Sequence, residues 1–145
     1  MGKSLIFALL ATFGYALLVN VPRRLWLPAA FGGMLSWGVY LLLKEEISST
    51  FYLLVLVGAA AAAYSELGAK LARAPATIFL IPALIPLVPG GYVYYMMSAL
   101  VQNALPEMWH YLQLTAQWAL GLAAGIGLIA VGHQLLHQLL RRHAD

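Results

Sequence analysis

The sequence predicts an all-α fold, a polytopic membrane helix bundle of about five transmembrane helices with the fourth broken at a Pro-Gly-Gly turn. Three observations predict it. Of 145 residues, 63% are hydrophobic and 9% charged, against roughly 25% charged in soluble domains; with a mean hydropathy of +0.84, the chain cannot cover a water-soluble surface. The apolar residues fall into five stretches separated by short charged or proline-bearing clusters. One stretch, from Arg73 to Asn103, is apolar enough to cross a bilayer yet carries Pro82, Pro86, Pro89, Gly90 and Gly91 near its middle.

A crossing takes about 20 mostly apolar helical residues. The first span is placed at residues 4–21, stopped by Pro22 and Arg23-Arg24. Lys3 followed by an apolar run resembles a secretory signal, but no small-x-small cleavage site follows, so it reads as a retained span. The second span covers 25–43, stopped by Lys44-Glu45-Glu46, and the third covers 47–64, ending near Glu66. The broken fourth span covers 76–103. Pro106 and Glu107 suit the start of a connecting helix, and the fifth span follows at 111–136. No loop is long enough for a soluble domain, so residues 1–145 read as a single integral membrane domain.

Six of the eight Lys and Arg residues (Arg23, Arg24, Lys70, Arg73, Arg141, Arg142) fall on one side of a five-span arrangement; Lys3 and Lys44 fall on the other. The positive-inside rule then puts the N-terminus outside and the C-terminus in the cytoplasm. This parity needs span four to cross fully, because a re-entrant hairpin at Pro89-Gly90 scrambles the pattern. The basic clusters read as orientation signals, so nucleic acid is not an expected partner; the lipid bilayer is. Trp26, Trp37, Trp109 and Trp118 read as interfacial anchors. Ala59 to Ala63, and the GxxxG of Gly121 and Gly125, form small-residue faces that permit close helix approach. Whether they meet their own bundle, a second copy or another protein stays open.

Each proline in the broken span clashes with the carbonyl four residues earlier, which frees those of Ile78, Pro82 and Ile85 on one helical face. In hydrocarbon, freed backbone groups cost several kcal/mol each unless protein or water covers them. Val88-Pro89-Gly90-Gly91 suits a type II turn with positive φ at Gly90. The amides that open the next half-helix lack intrahelical acceptors and suit an anion such as a carboxylate. Hydrogen bonds to a charged group contribute roughly 1.5–3 kcal/mol each, more than the roughly 0.3–2 kcal/mol of the helix dipole. Beyond the turn, Tyr94, Ser98 and Gln102 recur every four residues, with Asn103 beside them. The candidate substrate-binding residues are therefore Pro86, Pro89, Gly90, Gly91, Tyr94, Ser98, Gln102 and Asn103. A proline kink that only shapes packing is the competing reading.

The run APATIFLIPALIPLVPGGYVYYMM is similar to the signature in the C-terminal half of the threonine/serine exporter family. Pro75, Pro82 and the Ile85–Gly91 core carry the resemblance, with Asn20-Val21-Pro22-Arg23 and Ser65-Glu66 in support. The resemblance implies a bacterial inner-membrane exporter of small amino acids (threonine/serine) or succinate-like dicarboxylates, driven by the membrane potential or proton gradient. It also implies a larger partner subunit resembling the family's N-terminal half, or a homo-oligomer. Proton relays need buried titratable groups, and no span carries one near its centre, so a proton site on the partner is the favoured reading; Glu66 is the coupling candidate in this chain, with a solvated helix end as its simpler reading.

No catalytic residue, cofactor or metal site is expected. His133 and His137 have metal-ligand spacing, but no carboxylate or cysteine accompanies them in sequence; with His143, Arg141 and Arg142 they suit a cytoplasmic helix end. The chain has no cysteine, and no nucleophile–base pair, P-loop or HExxH motif, so an enzyme is not expected. Two function classes remain: a transport subunit, or a non-transporting membrane assembly or scaffold protein. The break favours transport, because a scaffold has little use for a Gly-Gly turn inside the bilayer.

Overall fold

The computed structural model describes residues 2–142, with side chains as far as residue 135; the expectations for the side chains of His137, Arg141, Arg142 and His143 lie outside these. The described residues form helices α1 (Gly2–Leu18), α2 (Trp26–Leu43), α3 (Thr50–Ala72), α4 (Thr77–Leu84), α5 (Gly90–Val101) and α6 (Leu105–Arg142), with 3₁₀ turns at Arg23–Leu25 and Ile85–Leu87 and no strand among them. Arg23–Leu43, Thr50–Ala72 and Leu105–Leu135 are each long and apolar enough to cross a membrane. Thr77–Leu87 and Gly90–Val101, bent by 50° at their junction, together qualify as a fourth crossing. The five-span count rests on α1, whose 17 residues reach about 26 Å at 1.5 Å per residue, the short end of a crossing.

Helix ends follow from local chemistry. α1, α3 and α5 each close on a left-handed residue, Asn20, Arg73 and Asn103. In each the next amide reaches back five residues, Val21 to Ala16, Ala74 to Ala69 and Ala104 to Ala99, at 2.9–3.1 Å. These are Schellman closures, in which Asn tolerates the left-handed turn better than most side chains. α3 runs well past residue 64 because nothing stops it before Arg73-Ala74-Pro75. Glu66 therefore sits inside the helix, six residues before its last residue, Ala72. α6 starts at Leu105 rather than 111, with Pro106 and Glu107 in its first turn, where a proline forfeits no hydrogen bond.

Helix directions can be read from contacts. Thr12 of α1 meets Gly33 of α2, and Leu5 meets Gly38, so α1 and α2 are antiparallel. The Tyr64 hydroxyl donates to the Pro28 carbonyl at 2.6 Å, while Trp37 and Tyr40 pack against the cluster that holds Leu53 and Leu54, so α2 and α3 are antiparallel too. Gly121 of α6 faces Phe51 and Leu54 of α3, and Gly125 faces Val55 and Ala59. Further along, His133 faces Glu66. Sequence numbers rise together, so α3 and α6 are parallel. The chain between them must reverse once, and α4 with α5 makes that reversal as one bent rod. This is the geometry of a broken full crossing, not of a hairpin. Arg23, Arg24, Lys70 and Arg73 consequently gather at one end of the bundle.

The tightest seam is between α3 and α6. A Cβ on Gly58 would stand 2.7 Å from the Leu122 carbonyl oxygen, and one on Gly125 would overlap the Val55 carbonyl. The GxxxG of α6 thus meets α3 of its own chain. Around this seam a core of Leu53, Leu54, Val57, Leu87, Trp118 and Leu122 sits level with the break. A second core, Ala16, Val21, Leu25, Ala29 and Phe79, lies towards the basic end.

Gly125→Val should separate α3 from α6 and cost at least the roughly 1–3 kcal/mol of core overpacking. Gly127→Val should be near neutral, since no atom lies within 4 Å of a Cβ there. Thermal unfolding of the two variants in detergent checks the contrast.

Candidate functional site

The site is built around five residues that are not α-helical. After α4 ends at Leu84, Ile85–Leu87 form one 3₁₀ turn. The Pro82 carbonyl accepts from the Ile85 amide, and the Ile85 carbonyl accepts from the Val88 amide at 3.3 Å. Two of the three carbonyls expected to be freed by proline are therefore paired along the chain, by tightening from α to 3₁₀. Val88 is then extended at φ −64°, ψ 125°, and Pro89 takes φ −77°, ψ 45°. The Gly90 amide donates to the Val88 carbonyl at 2.8 Å. This is an inverse γ-turn centred on Pro89, not the expected type II turn. No glycine among the described residues has positive φ; Gly90 is the first residue of α5. Proline's fixed φ lies close to the γ-turn value, so the turn closes without the left-handed glycine that a type II turn needs.

The carbonyl that requires outside help is Ala83's. Ser36 of α2 is fully buried, and its Oγ lies 2.5 Å from the Ala83 oxygen and 3.1 Å from the Gly33 oxygen. Gly32 lets α4 come this close, because a Cβ there would stand 3.3 Å from Ala83 Cβ and 2.9 Å from the Tyr64 ring. Sequence reasoning missed Ser36. The available signal was a lone hydroxyl residue following Gly32-Gly33 inside an apolar span.

Past the γ-turn, the α5 amides begin without acceptors. Val93 donates to Pro89 at 3.2 Å, but the amides of Gly91 and Tyr92 have no backbone acceptor among the described residues. A cavity of about 280 Å³ adjoins them, lined by Pro86, Pro89, Gly91 and the aromatic rings of Trp37, Tyr40, Tyr92, Tyr95 and Trp118. The rings form a connected set. Trp37 stacks on Tyr40 at 5.0 Å between centroids, Tyr40 meets Trp118 at 5.5 Å, and Trp118 meets Tyr92 edge-on at 5.8 Å. Trp37 and Trp118 were expected as interfacial anchors. Both line the cavity beside the break, and Trp118 is buried. Trp109 stays exposed near the start of α6. The spacing of Trp37 and Tyr40, one helical turn apart, was the legible hint.

The expected site residues divide into two groups. Pro86, Pro89 and Gly91 line the cavity, with Gly90 exposed beside it. Tyr94, Ser98, Gln102 and Asn103 do not line it. Tyr94 is 69% exposed, and the Gln102 amide nitrogen donates to Ser98 Oγ at 3.0 Å on the outer surface of α5. The polar stripe exists, but it faces away from the bundle. Asn103 has a structural task as the left-handed closure of α5. Glu66 lies towards the basic end, about 15 Å along α3 from the level of the break by helix rise.

A family model described as Threonine/Serine exporter, ThrE matches residues 4–131. No curated protein and no solved structure matches the chain.

Ser36→Ala should leave the Ala83 carbonyl buried without its donor and destabilise the protein by about 1–3 kcal/mol, whereas Ser48→Ala, in the loop before α3, should have little effect. Unfolding in detergent followed by tryptophan fluorescence reads the difference, because Trp37 and Trp118 border the break.

Proposed function

The chain belongs to the threonine/serine exporter family, and on that premise we propose that it is a subunit of a bacterial inner-membrane exporter of small amino acids, acting with a larger partner subunit. It is a multi-pass membrane protein of exporter type. We take residues 1–145 as one membrane domain with the N-terminus outside and the C-terminus cytoplasmic, because the end bearing Arg23, Arg24, Lys70 and Arg73 is the one the positive-inside rule assigns to the cytoplasm.

The observation that carries the reading is the pair of free amides, Gly91 and Tyr92, beside an aromatic cavity. A substrate carboxylate would bind the amides at the N-terminus of α5. Its ammonium group would rest on the faces of Trp37, Tyr40 or Trp118, with each cation–π contact contributing roughly 0.5–2 kcal/mol. A dicarboxylate meets the amides equally well, but it brings a second negative charge against ring faces that are themselves negative. The lining therefore favours a zwitterionic amino acid over a succinate-like substrate.

The outward stripe of Tyr94, Ser98 and Gln102 supports a neighbouring subunit. Polar groups facing hydrocarbon are expensive, and a second protein surface on α5 would cover them while closing the substrate path. A homo-oligomer could supply the same cover. The scaffold alternative loses its main support, because the small-residue faces of α3 and α6 are occupied by one another.

Gly91→Val tests the site cleanly. No atom lies within 4 Å of a Cβ at Gly91, so the variant should insert and fold normally while its branched side chain shields the α5 amides. Export of threonine and serine from cells that also make the partner should fall to background at an unchanged membrane level. Export at the parent rate would remove the amides from the mechanism. The same assay with this chain alone tells whether a partner is obligatory.

A further inference from the structure

Glu66 and His133 are far apart in sequence, but the parallel α3–α6 packing brings His133 Nε2 to 3.8 Å from Glu66 Oε2. The imidazole side chain is 28% exposed and the carboxylate side chain 31%, and the Nε2 atom itself is shielded from solvent. They share a groove of about 310 Å³, walled by Ala63, Leu67, Leu128 and Ile129, with Lys70 also lining it. Glu66 is five residues beyond the midpoint of α3. With that helix centred on the bilayer, it lies about 8 Å from the midplane, inside a hydrocarbon layer about 30 Å thick. Ionisable groups at such depth are rare and mark ion or proton pathways.

We infer that Glu66 and His133 form a single proton-binding site in the α3–α6 groove. The proton enters from the basic end of the bundle and binds His133 Nε2, and the Glu66 carboxylate balances the imidazolium charge. Losing the proton returns a neutral ring beside a carboxylate, in a groove that Lys70 also lines. Among the described residues, α2 and α4, the other helices packed on α3, contribute no competing charge. α4 has no titratable side chain, and the titratable side chain of α2, Tyr40, is at the level of the break. The inference deepens the exporter reading by placing a coupling proton on this chain rather than on its partner.

The test uses the full chain in liposomes. Infrared difference spectra between about pH 8 and pH 5 should show a carboxylate band and an imidazole ring band changing over one pH interval. Glu66→Gln should remove the first band and displace the pH interval of the second, and His133→Gln should do the converse. Glu66→Asp, which keeps the charge one methylene further back, should retain a weakened link. Bands that ignore the loss of the other residue would overturn the pair. Export separates this result from the exporter reading. If the parent exports and both glutamine variants keep its pH profile, the proton site is refuted and the exporter stands. If the bands are coupled in a chain that exports nothing with its partner, the site stands and the exporter reading fails.

Discussion

Within a bilayer no water is available to a backbone group that loses its helical partner, and the segment from Ile85 to Pro89 is organised around that fact. Three prolines remove donors and push carbonyls aside. The chain answers with a 3₁₀ turn that pairs Pro82 and Ile85 locally, a γ-turn that pairs Val88 with Gly90, and a borrowed hydroxyl from Ser36 for Ala83. The carbonyls of Pro82, Ala83, Ile85 and Val88 are thus paired, whereas the Gly91 and Tyr92 amides are left over. Unpaired amides at a helix N-terminus carry positive partial charge, and the proposed binding of a substrate carboxylate rests on it. Ser36 can act only because Gly32 and Gly33 let α1 and α4 close on α2, so the glycines of α2 are as much a part of the break as its prolines.

The same economy governs the rest of the bundle. Without a hydrophobic force between helices in lipid, association relies on close backbone approach. The α3–α6 seam achieves this with Gly58, Gly121 and Gly125 set against carbonyl oxygens. Because those two helices run in parallel, the bent rod between them is obliged to traverse the bundle. The rings of Trp37, Tyr40, Tyr92 and Trp118 then pack beside the point where the rod bends.

Much of this was legible beforehand. The all-α class, the break at Pro89-Gly90 and the charge-bearing end follow from composition, from proline chemistry and from the spacing of arginines, all of which act locally. What was not legible depends on which helices become neighbours. The Tyr94, Ser98 and Gln102 stripe was correctly placed on one face of α5, but periodicity alone cannot tell an inward face from an outward one. Tyr92 and Tyr95, one turn apart on α5, turned out to line the cavity. The type II turn was a reasonable reading of Pro-Gly-Gly, but Pro89 closed a smaller turn with its own preferred φ. Glu66 was placed at a helix end because the charged residues after it resembled a boundary; α3 continued to the first residue able to adopt a left-handed stop. Its pairing with His133 needed the parallel α3–α6 register, which no local pattern encodes.

The two halves of the bent rod have different neighbours, and this links the break to the groove that holds Glu66. α4 packs on α2 and α3, whereas α5 packs on α6, with Tyr92 against Trp118 and Tyr95 stacked on Tyr111 at 5.4 Å. A change in the 50° angle at the break therefore cannot be absorbed by the rod alone. It moves α5, and α5 moves α6 relative to α3. The glycine seam holds α3 and α6 closest at Gly121 and Gly125, which makes that level the natural pivot for any rotation of α6. Such rotation displaces the residues farthest along α6 the most, and there His133 faces Glu66. Beyond the seam, Gly127 and Gly132 leave open space, so the groove can widen or narrow without a clash. If Glu66 and His133 hold the proposed proton at the end of such a lever, its binding and the angle of the break are linked, and the influence between two linked equilibria is reciprocal.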